Sequence, residues 1–466
     1  AGEEVLVTAE RKLIQFDVTQ SEAIITSDEL DGMPVTEVSE VLRLQGGVTV
    51  DAGGGIHMRG GRTSEVSYMV DGVPMSDAYS GGIGIQVEND NIQELQVISG
   101  TFNAEYGKAL TGVVNMITKD GGNEFEGSIH TYAGDFQSND SIYQDLNTFK
   151  IQDDYSLSAN LSGPILNDKV TFYSSGRLNQ SNGWLNGLQT FTIYGDTVFK
   201  DENDNLFLDG DETQIKPYYK GLNDYESWSA QNKLTFNIFP GTIFKLNSIV
   251  NARRSSEYNH FLQYLEDGLI TNHNKGNFIG FNLSHSFSPV TFGQINISEN
   301  TFRFESHLFE DPIDPRYITP DSIFGAQIDN VIPDHIISQY GDQVQYYPPY
   351  ALYRAGVDNR RFERETKTRN YKFDVTSQIN KYNQLKFGID ITKHDLFLDS
   401  YSILDSTQTD KIYSPKIPDK GSFTRSDYHY QPSELGLYIQ DKIEYGDMII
   451  NMGLRFELFK PNAEIP

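Results

Sequence analysis

From Phe125 to the C-terminus, short and long connections alternate between segments that read as strands, and few architectures tolerate that asymmetry. The short joints are Gly163–Lys169, Pro240–Gly241, Ser288–Pro289, Asn380–Asn383 and Gly446–Asp447. The long ones are Asp135–Asp154, Ser181–Tyr225, Ser255–Lys275, Ser306–Asn359 and Asp399–Arg425. A transmembrane β-barrel keeps short turns on its periplasmic side and long loops outside the cell. A soluble sandwich has no reason to sort its loops by side. The pattern predicts a membrane barrel and also orients it.

Side-chain alternation agrees. Leu385, Phe387, Ile389 and Ile391 alternate with Lys386, Gly388, Asp390 and Thr392. Met448, Ile450, Met452, Leu454, Phe456 and Leu458 alternate with Ile449, Asn451, Gly453, Arg455 and Glu457. Successive strand side chains point to opposite faces, so each strand has one apolar and one polar face. In a barrel these face lipid and lumen. Any single strand of this kind fits a soluble sheet equally well, and the loop alternation separates the two.

Composition narrows the class further. A chain of 466 residues exceeds one ordinary soluble domain. It has no run of about 18 apolar residues that reads as a spanning helix. A membrane location therefore requires a closed barrel, the other structure that satisfies every backbone group in lipid. The 27 Tyr and 28 Phe suit the aromatic girdles at the two interfaces. With no Cys, neither disulfides nor thiol-ligated metals are available. A net charge of -28 argues against nucleic acid, which needs a basic face.

Ala1-Gly2-Glu3-Glu4 lacks the basic and apolar start of an export leader, so the leader is expected outside these residues. Eleven strands are expected from Phe125 onward, followed by the polar Lys460–Pro466. Bacterial single-chain barrels have an even number of strands. The expectation is therefore the N-terminal half of a barrel, residues 125–466, whose closing strands lie beyond Pro466.

Before Phe125 the texture changes. Glycines cluster at Gly53-Gly54-Gly55, Gly60-Gly61, Gly81-Gly82 and Gly121-Gly122, and the segments are short and mixed. The spacing predicts a helix over Pro34–Leu44 with Val38, Val41 and Leu42 on one face and Gly46-Gly47 as its stop. Val66–Val70, Asp71-Gly72 and Val73 read as a tight hairpin with a primed turn. Leu95–Ile98 and Val113–Thr118 read as further strands, giving a small α+β domain.

These residues also carry a family resemblance. Glu4-Val5-Leu6-Val7-Thr8-Ala9 resembles the TonB box of TonB-dependent outer-membrane receptors. Ile56-His57-Met58-Arg59-Gly60 and Val70-Asp71-Gly72-Val73-Pro74 resemble two segments of that family's plug. Ile92–Gly100, Tyr106-Gly107 and Gly112–Lys119 resemble the plug's end, in the family's order. Tyr106–Gly112 is most similar to the large receptors of Bacteroidota, which often carry a carboxypeptidase-regulatory-like domain before the box.

The resemblance implies a TonB-box segment at 1–9, a plug at 10–124 and a barrel after it, in the outer membrane of a Gram-negative bacterium. It implies active import powered by TonB and its inner-membrane ExbB–ExbD motor, with outer-membrane lipid, lipopolysaccharide and a surface lipoprotein as further partners. About 22 strands surround the plug in such transporters. A non-transporting surface-binding or assembly barrel would need no TonB box. A secreted glycan hydrolase would not explain the sorted loops.

No residue is a catalytic candidate. The nine histidines show no His-Glu-x-x-His spacing, and neither a P-loop nor a Gly-x-Ser-x-Gly motif occurs. Arg59, Gly60, Asp71, Gly72, Tyr106 and Gly107 are expected to serve the fold: Asp71 as a turn residue, Arg59 with Arg62 as bridges from plug to barrel, with substrate binding by the two arginines as the alternative. Glu4–Ala9 is β-prone and sits at a free end, where an extended peptide adds to a partner's sheet edge. The same residues also suit an edge strand of the plug itself.

One long loop has ion-binding spacing. Asp201, Asn203, Asn205, Asp209 and Glu212 occupy positions 1, 3, 5, 9 and 12 of a calcium-type loop, with the Phe207 carbonyl at position 7. Leu206 stands where the sharp turn normally has glycine, and an acidic solvated loop tip explains the run equally well. The loops are acidic throughout: Ser181–Tyr225 carries eight acids against three Lys. Such loops disfavour anionic ligands at low salt.

Overall fold

A computed structural model describes residues 21–33, 37–51, 54–100, 102–140, 142–189, 191–194, 198–200, 206–208, 219–265, 267–318, 353, 355–405, 414–446 and 448–463. Two sheets dominate. A small one of five strands forms the core of the N-terminal domain. A large one curls around it as an antiparallel meander.

The meander runs Glu126–Gly134, Asp154–Leu166, Val170–Ser181, Tyr225–Phe239, Thr242–Ser256, Thr271–Ser288, Thr291–His307, Arg360–Gln378, Asn383–Ser402, Ser433–Tyr445 and Met448–Lys460. These are the eleven strands expected, and the short turns fall where the sequence puts them. The first is tighter than predicted, because the strand before it continues past Gly163 to Leu166. A twelfth strand, Arg425–Tyr430, pairs with the loop end of Asn383–Ser402 beside Ser433–Tyr445. Both lie on the same neighbour, interrupted at Gln431-Pro432. Pro432 has no N–H to give the ladder, which splits one long strand in two. Glu126–Gly134 and Met448–Lys460 are the two edges of this sheet among the described residues.

The large sheet is inverted relative to a soluble one. Its outward residues are apolar and exposed: Met452 is 56% accessible, Leu454 77% and Phe456 59%. Its inward residues are polar and buried, among them Ser158, Gln231, Lys233, Asn247, Asn300, Thr368 and Asn370. An apolar exterior over a polar, filled interior is what lipid selects for.

The filling is the N-terminal domain. Strands β1 (Ser21–Thr26), β4 (Val66–Val70), β5 (Val73–Pro74), β6 (Ile92–Ser99) and β7 (Gly112–Thr118) pair in the order β1-β6-β7-β4-β5. The β4–β7 pair is parallel, which the sequence reading did not anticipate. The predicted helix is shorter than expected, Val38–Arg43, and buries Val38, Val41 and Leu42. The predicted hairpin forms: φ is +50° at Asp71 and +78° at Gly72, the pair of positive values that a type I′ turn needs. Two inward barrel residues, Ile249 and Phe278, join the domain's apolar core with Tyr68, Val70 and Met116.

The long connections are built rather than loose. Ile193, Phe309, Tyr317, Ile318, Val357 and Ile403 form an apolar cluster of their own. Backbone bonds from Gly356 N to Ile193 O and from Ile403 N to Asn359 O stitch three loops together, and Val357 N to Ile318 O closes the middle one on itself.

Candidate functional site

The chemistry of this molecule concentrates where the N-terminal domain meets the barrel wall. Nearly every ion pair across that seam puts the acid on the inner domain and the base on the barrel. Arg177 grips Glu88 at 2.7 Å and Asp90 at 2.9 Å. Arg364 holds Asp77 at 2.6 Å. Lys245 holds Asp120 at 2.6 Å, and Lys386 pairs with Glu105. Lys108 on the inner domain reverses the polarity, 2.5 Å from Glu434, whose other oxygen meets His394.

Asp71 does more than turn the chain, correcting the expectation drawn from its hairpin. Its carboxylate accepts from the Thr118 amide at 2.9 Å and the Thr118 hydroxyl at 2.8 Å. From the barrel, Asn247 Nδ2 donates to it at 3.0 Å, and Lys233 Nζ stands at 3.3 Å. Lys233 is almost fully buried and also donates to the Thr118 carbonyl at 3.1 Å. Sequence shows the turn but not this role, because the partners lie 162 and 176 positions away.

Asp120 completes the cluster between Lys233 and Lys245. Burial alone would raise its carboxyl, but the two lysines outweigh that and hold it below the ordinary carboxylate range. All of this lies toward the short-turn end of the barrel, since Lys245 follows the Pro240-Gly241 turn closely.

The other named positions are structural. Arg59 and Gly60 both take positive φ, and Gly61 N closes their turn on Met58 O at 2.9 Å. Among the described residues no ion pair joins Arg59 or Arg62 to the barrel, so the expected bridges are made by other side chains. Tyr106 packs with Phe102 and Ala109 against Met69, Ile98 and Val113, and its burial raises the phenol well above its usual range. A Cβ at Gly107 would lie 2.3 Å from Arg455 Nη2, so glycine lets this barrel arginine close on the inner domain. His57 is raised by its hydrogen bond to Asp51, 3.0 Å away. Glu4–Ala9 lies outside the described residues, as do Asp201, Asn203, Asn205, Asp209 and Glu212. Phe207 falls in a short strand, Leu206–Leu208, paired with Val198–Lys200.

Besides a space of about 390 Å³ beside Asp71 and Lys233, two larger ones lie at the seam. A groove of about 500 Å³ opens toward the loops between Glu37, Glu40 and Arg43 on one side and Asn251, Arg253 and Phe302 on the other. A second of about 460 Å³ lies between Ser76, Lys108, Asn370, Asp390, His394 and Glu434. Both have mixed polar and apolar walls and are bounded by the inner domain, so access from the loops to the opposite face depends on that domain's position.

Comparison with known proteins fits this geometry. Residues 15–114 match the family model described as TonB-dependent Receptor Plug Domain. The TonB-dependent transporter Oar of Myxococcus xanthus is 28% identical over 195 residues, covering 40% of this chain and 18% of the relative. The vitamin B12 transporter BtuB of Vibrio vulnificus is 30% identical over 123 residues, covering 24% of this chain and 20% of the relative. In fold, the chain is similar to the outer membrane transporter YddB of Escherichia coli, with TM-score 0.63, 14% identity and coverage of 94% and 56%. The ferripyoverdine receptor of Pseudomonas aeruginosa gives 0.61 and 14%, with 94% and 52% covered. The chain thus spans about half the length of these solved receptors, and its matched regions a smaller share of the curated relatives.

Proposed function

We propose, from the premise that this chain belongs to the TonB-dependent outer-membrane receptors, that it imports a substrate across the outer membrane by TonB-coupled displacement of its plug. The observation that carries this reading is the seam itself. The plug is held by charged and hydrogen-bonding contacts, which water can replace, and by few apolar ones. A dry apolar seam would resist removal far more strongly, because each buried apolar side chain contributes about 1.5–3 kcal/mol. A polar one lets a pulled plug leave without exposing a core.

On this reading Glu4–Ala9 is the segment that TonB captures by strand addition. Energy comes from the ExbB–ExbD motor, and substrate enters through the loop-side groove. Strands beyond those described here close the barrel. The non-transporting alternative makes the same plug a permanent stopper.

Val7→Pro tests the proposal. Proline removes a backbone donor and is excluded from paired strand interiors. Uptake should fail while surface binding and expression stay normal. Normal accumulation at normal expression would remove the TonB-box assignment, and poor expression would instead place Val5–Thr8 in the plug's own sheet.

A further inference from the structure

The ion pairs of the seam are spread unevenly around the barrel. Arg177, Lys233, Lys245, Arg364, Lys386 and Glu434 reach the plug from six strands, and Thr271–Ser288 and Thr291–His307 supply none of them. On Thr271–Ser288 the inward row holds Gly276, Phe278 and Gly280 instead. A ring thus stands between two positions with no side chain. A Cβ at Gly280 would lie 2.6 Å from Phe278 Cζ, so the ring lies down over Gly280 toward the turn end. A Cβ at Gly276 would lie 3.2 Å from Ile85 Cγ1, so this plug side chain lies against bare wall. Glycine in a strand often marks such a close approach.

Phe278 pairs across the sheet with Ile249, and both join Ile85 in the plug's apolar core, each 2% exposed or less. Two residues toward the loops, Asn251 lines the loop-side groove of about 500 Å³. Two residues toward the turns, Asn247 and Gly280 line the space of about 390 Å³ beside Asp71 and Lys233. One rung of the wall therefore divides the groove from a space that extends to Ile243 and Ser284, close to the short turns. The wall positions on either side of the apolar pair, Gln231 and Asn300, are polar. Asn247 Oδ1 and both amide atoms of Gln231 are buried without a partner, and such atoms call for water or a polar guest.

We propose that Phe278, with Ile249 and Ile85, is the gate of the import path. Substrate passes from the loop-side groove into the turn-side space when this one contact parts, while the ion pairs on other strands keep the plug in the barrel. This gate rests on the import reading and limits the necessary displacement to one sector of the plug. An apolar constriction closes to ions and polar solutes by excluding water. Opening it breaks no ion pair of the seam, and the two glycines leave the ring free wall to move across.

Passive permeability of the full-length receptor, measured without TonB, tests the gate. The probes are potassium chloride conductance in planar bilayers and arabinose-driven swelling of proteoliposomes. Phe278→Ala should raise both at least tenfold over the parent, and Phe278→Leu, which keeps an apolar contact, should stay within twofold. Ile85→Ala opens the same contact from the plug and leaves every barrel residue in place, so it should leak likewise even where Phe278→Ala inserts poorly. Arg364→Ala loosens the plug in another sector and should stay at the parent level. Parent-like permeability in Phe278→Ala and Ile85→Ala would overturn the gate. So would an equal leak in Arg364→Ala, which would make leakage a consequence of loosening the plug anywhere. Either result leaves import to its own test, since Val7→Pro reads uptake driven through TonB.

Discussion

Arg364 Nη1 stands 2.6 Å from Asp77 Oδ2 and joins the plug's loop-side tip to the barrel wall. The guanidinium is also stacked over Tyr79 at 4.5 Å and Phe302 at 4.7 Å. Asp77 in turn accepts from the Ser80 hydroxyl at 2.8 Å and caps its own loop through the Tyr79 amide at 3.2 Å. With side chains 1% and 11% accessible, this is a buried pair with every partner in place.

Removing the base alone should therefore cost more than removing both charges. Arg364→Met leaves a buried carboxylate without its cation, a change worth about 3–5 kcal/mol. Adding Asp77→Asn should recover much of it. Thermal unfolding of both single variants and the double variant checks this, and a double loss equal to the sum of the two single losses would show that the pair adds no coupling.

At the other face, Asp71 and Lys233 anchor the hairpin turn. Lys233→Met leaves Asp71 with Thr118 and Asn247 and should loosen the plug rather than unfold the barrel. The expected loss is about 1–3 kcal/mol, the range for an unmet buried polar group. Limited proteolysis should then cut the plug sooner while the strand content by circular dichroism is unchanged. Identical plug protection in variant and parent would refute this role for the lysine.

How much of this was legible beforehand divides by distance along the chain. The Asp71-Gly72 turn is a two-residue signal, and it formed as read. The barrel strands were visible because alternation and turn residues are local, and the Pro432 break has an equally local cause. The seam was not visible. Arg177, Lys233, Arg364 and Lys386 look like ordinary lumen residues until the fold brings them to acids 87 to 287 positions away. The parallel β4–β7 pair and the apolar cluster uniting the loops were hidden for the same reason. Nothing local distinguishes Ile193 or Ile403 from a solvated loop residue.

The pH response of the seam follows from Asp120. Its folded carboxyl is held below the unfolded value by Lys233 and Lys245 despite burial. A depressed carboxyl contributes stability that is present above its unfolded pKa and lost as pH falls through the folded one. His57 acts oppositely: raised by Asp51, its contribution is whole below the unfolded imidazole value and fades as pH rises through the folded one. Plug attachment should thus weaken at acid pH below the ordinary carboxylate range. In Asp120→Asn that acid-side loss should be smaller, as followed by plug protease protection against pH. An unaltered acid profile would exclude Asp120 as its source.

Gly121 makes a sharper test of how the plug joins the barrel. A Cβ there would lie 2.4 Å from the Phe172 carbonyl oxygen and 2.6 Å from its nitrogen. Both are backbone atoms of a paired strand, so neither can rotate away, and the linker lies flat on Val170–Ser181 only because glycine is there. Gly121→Ala should force the linker off the strand and cost about 1–3 kcal/mol, as overpacking does. Gly122→Ala, whose nearest atoms are 3.8 Å away, should change little. The comparison holds composition and chain flexibility nearly constant between the two variants. Matched melting temperatures for both would mean that the close approach to Phe172 does not constrain the linker, whereas a loss confined to Gly121→Ala would identify that contact as its seat.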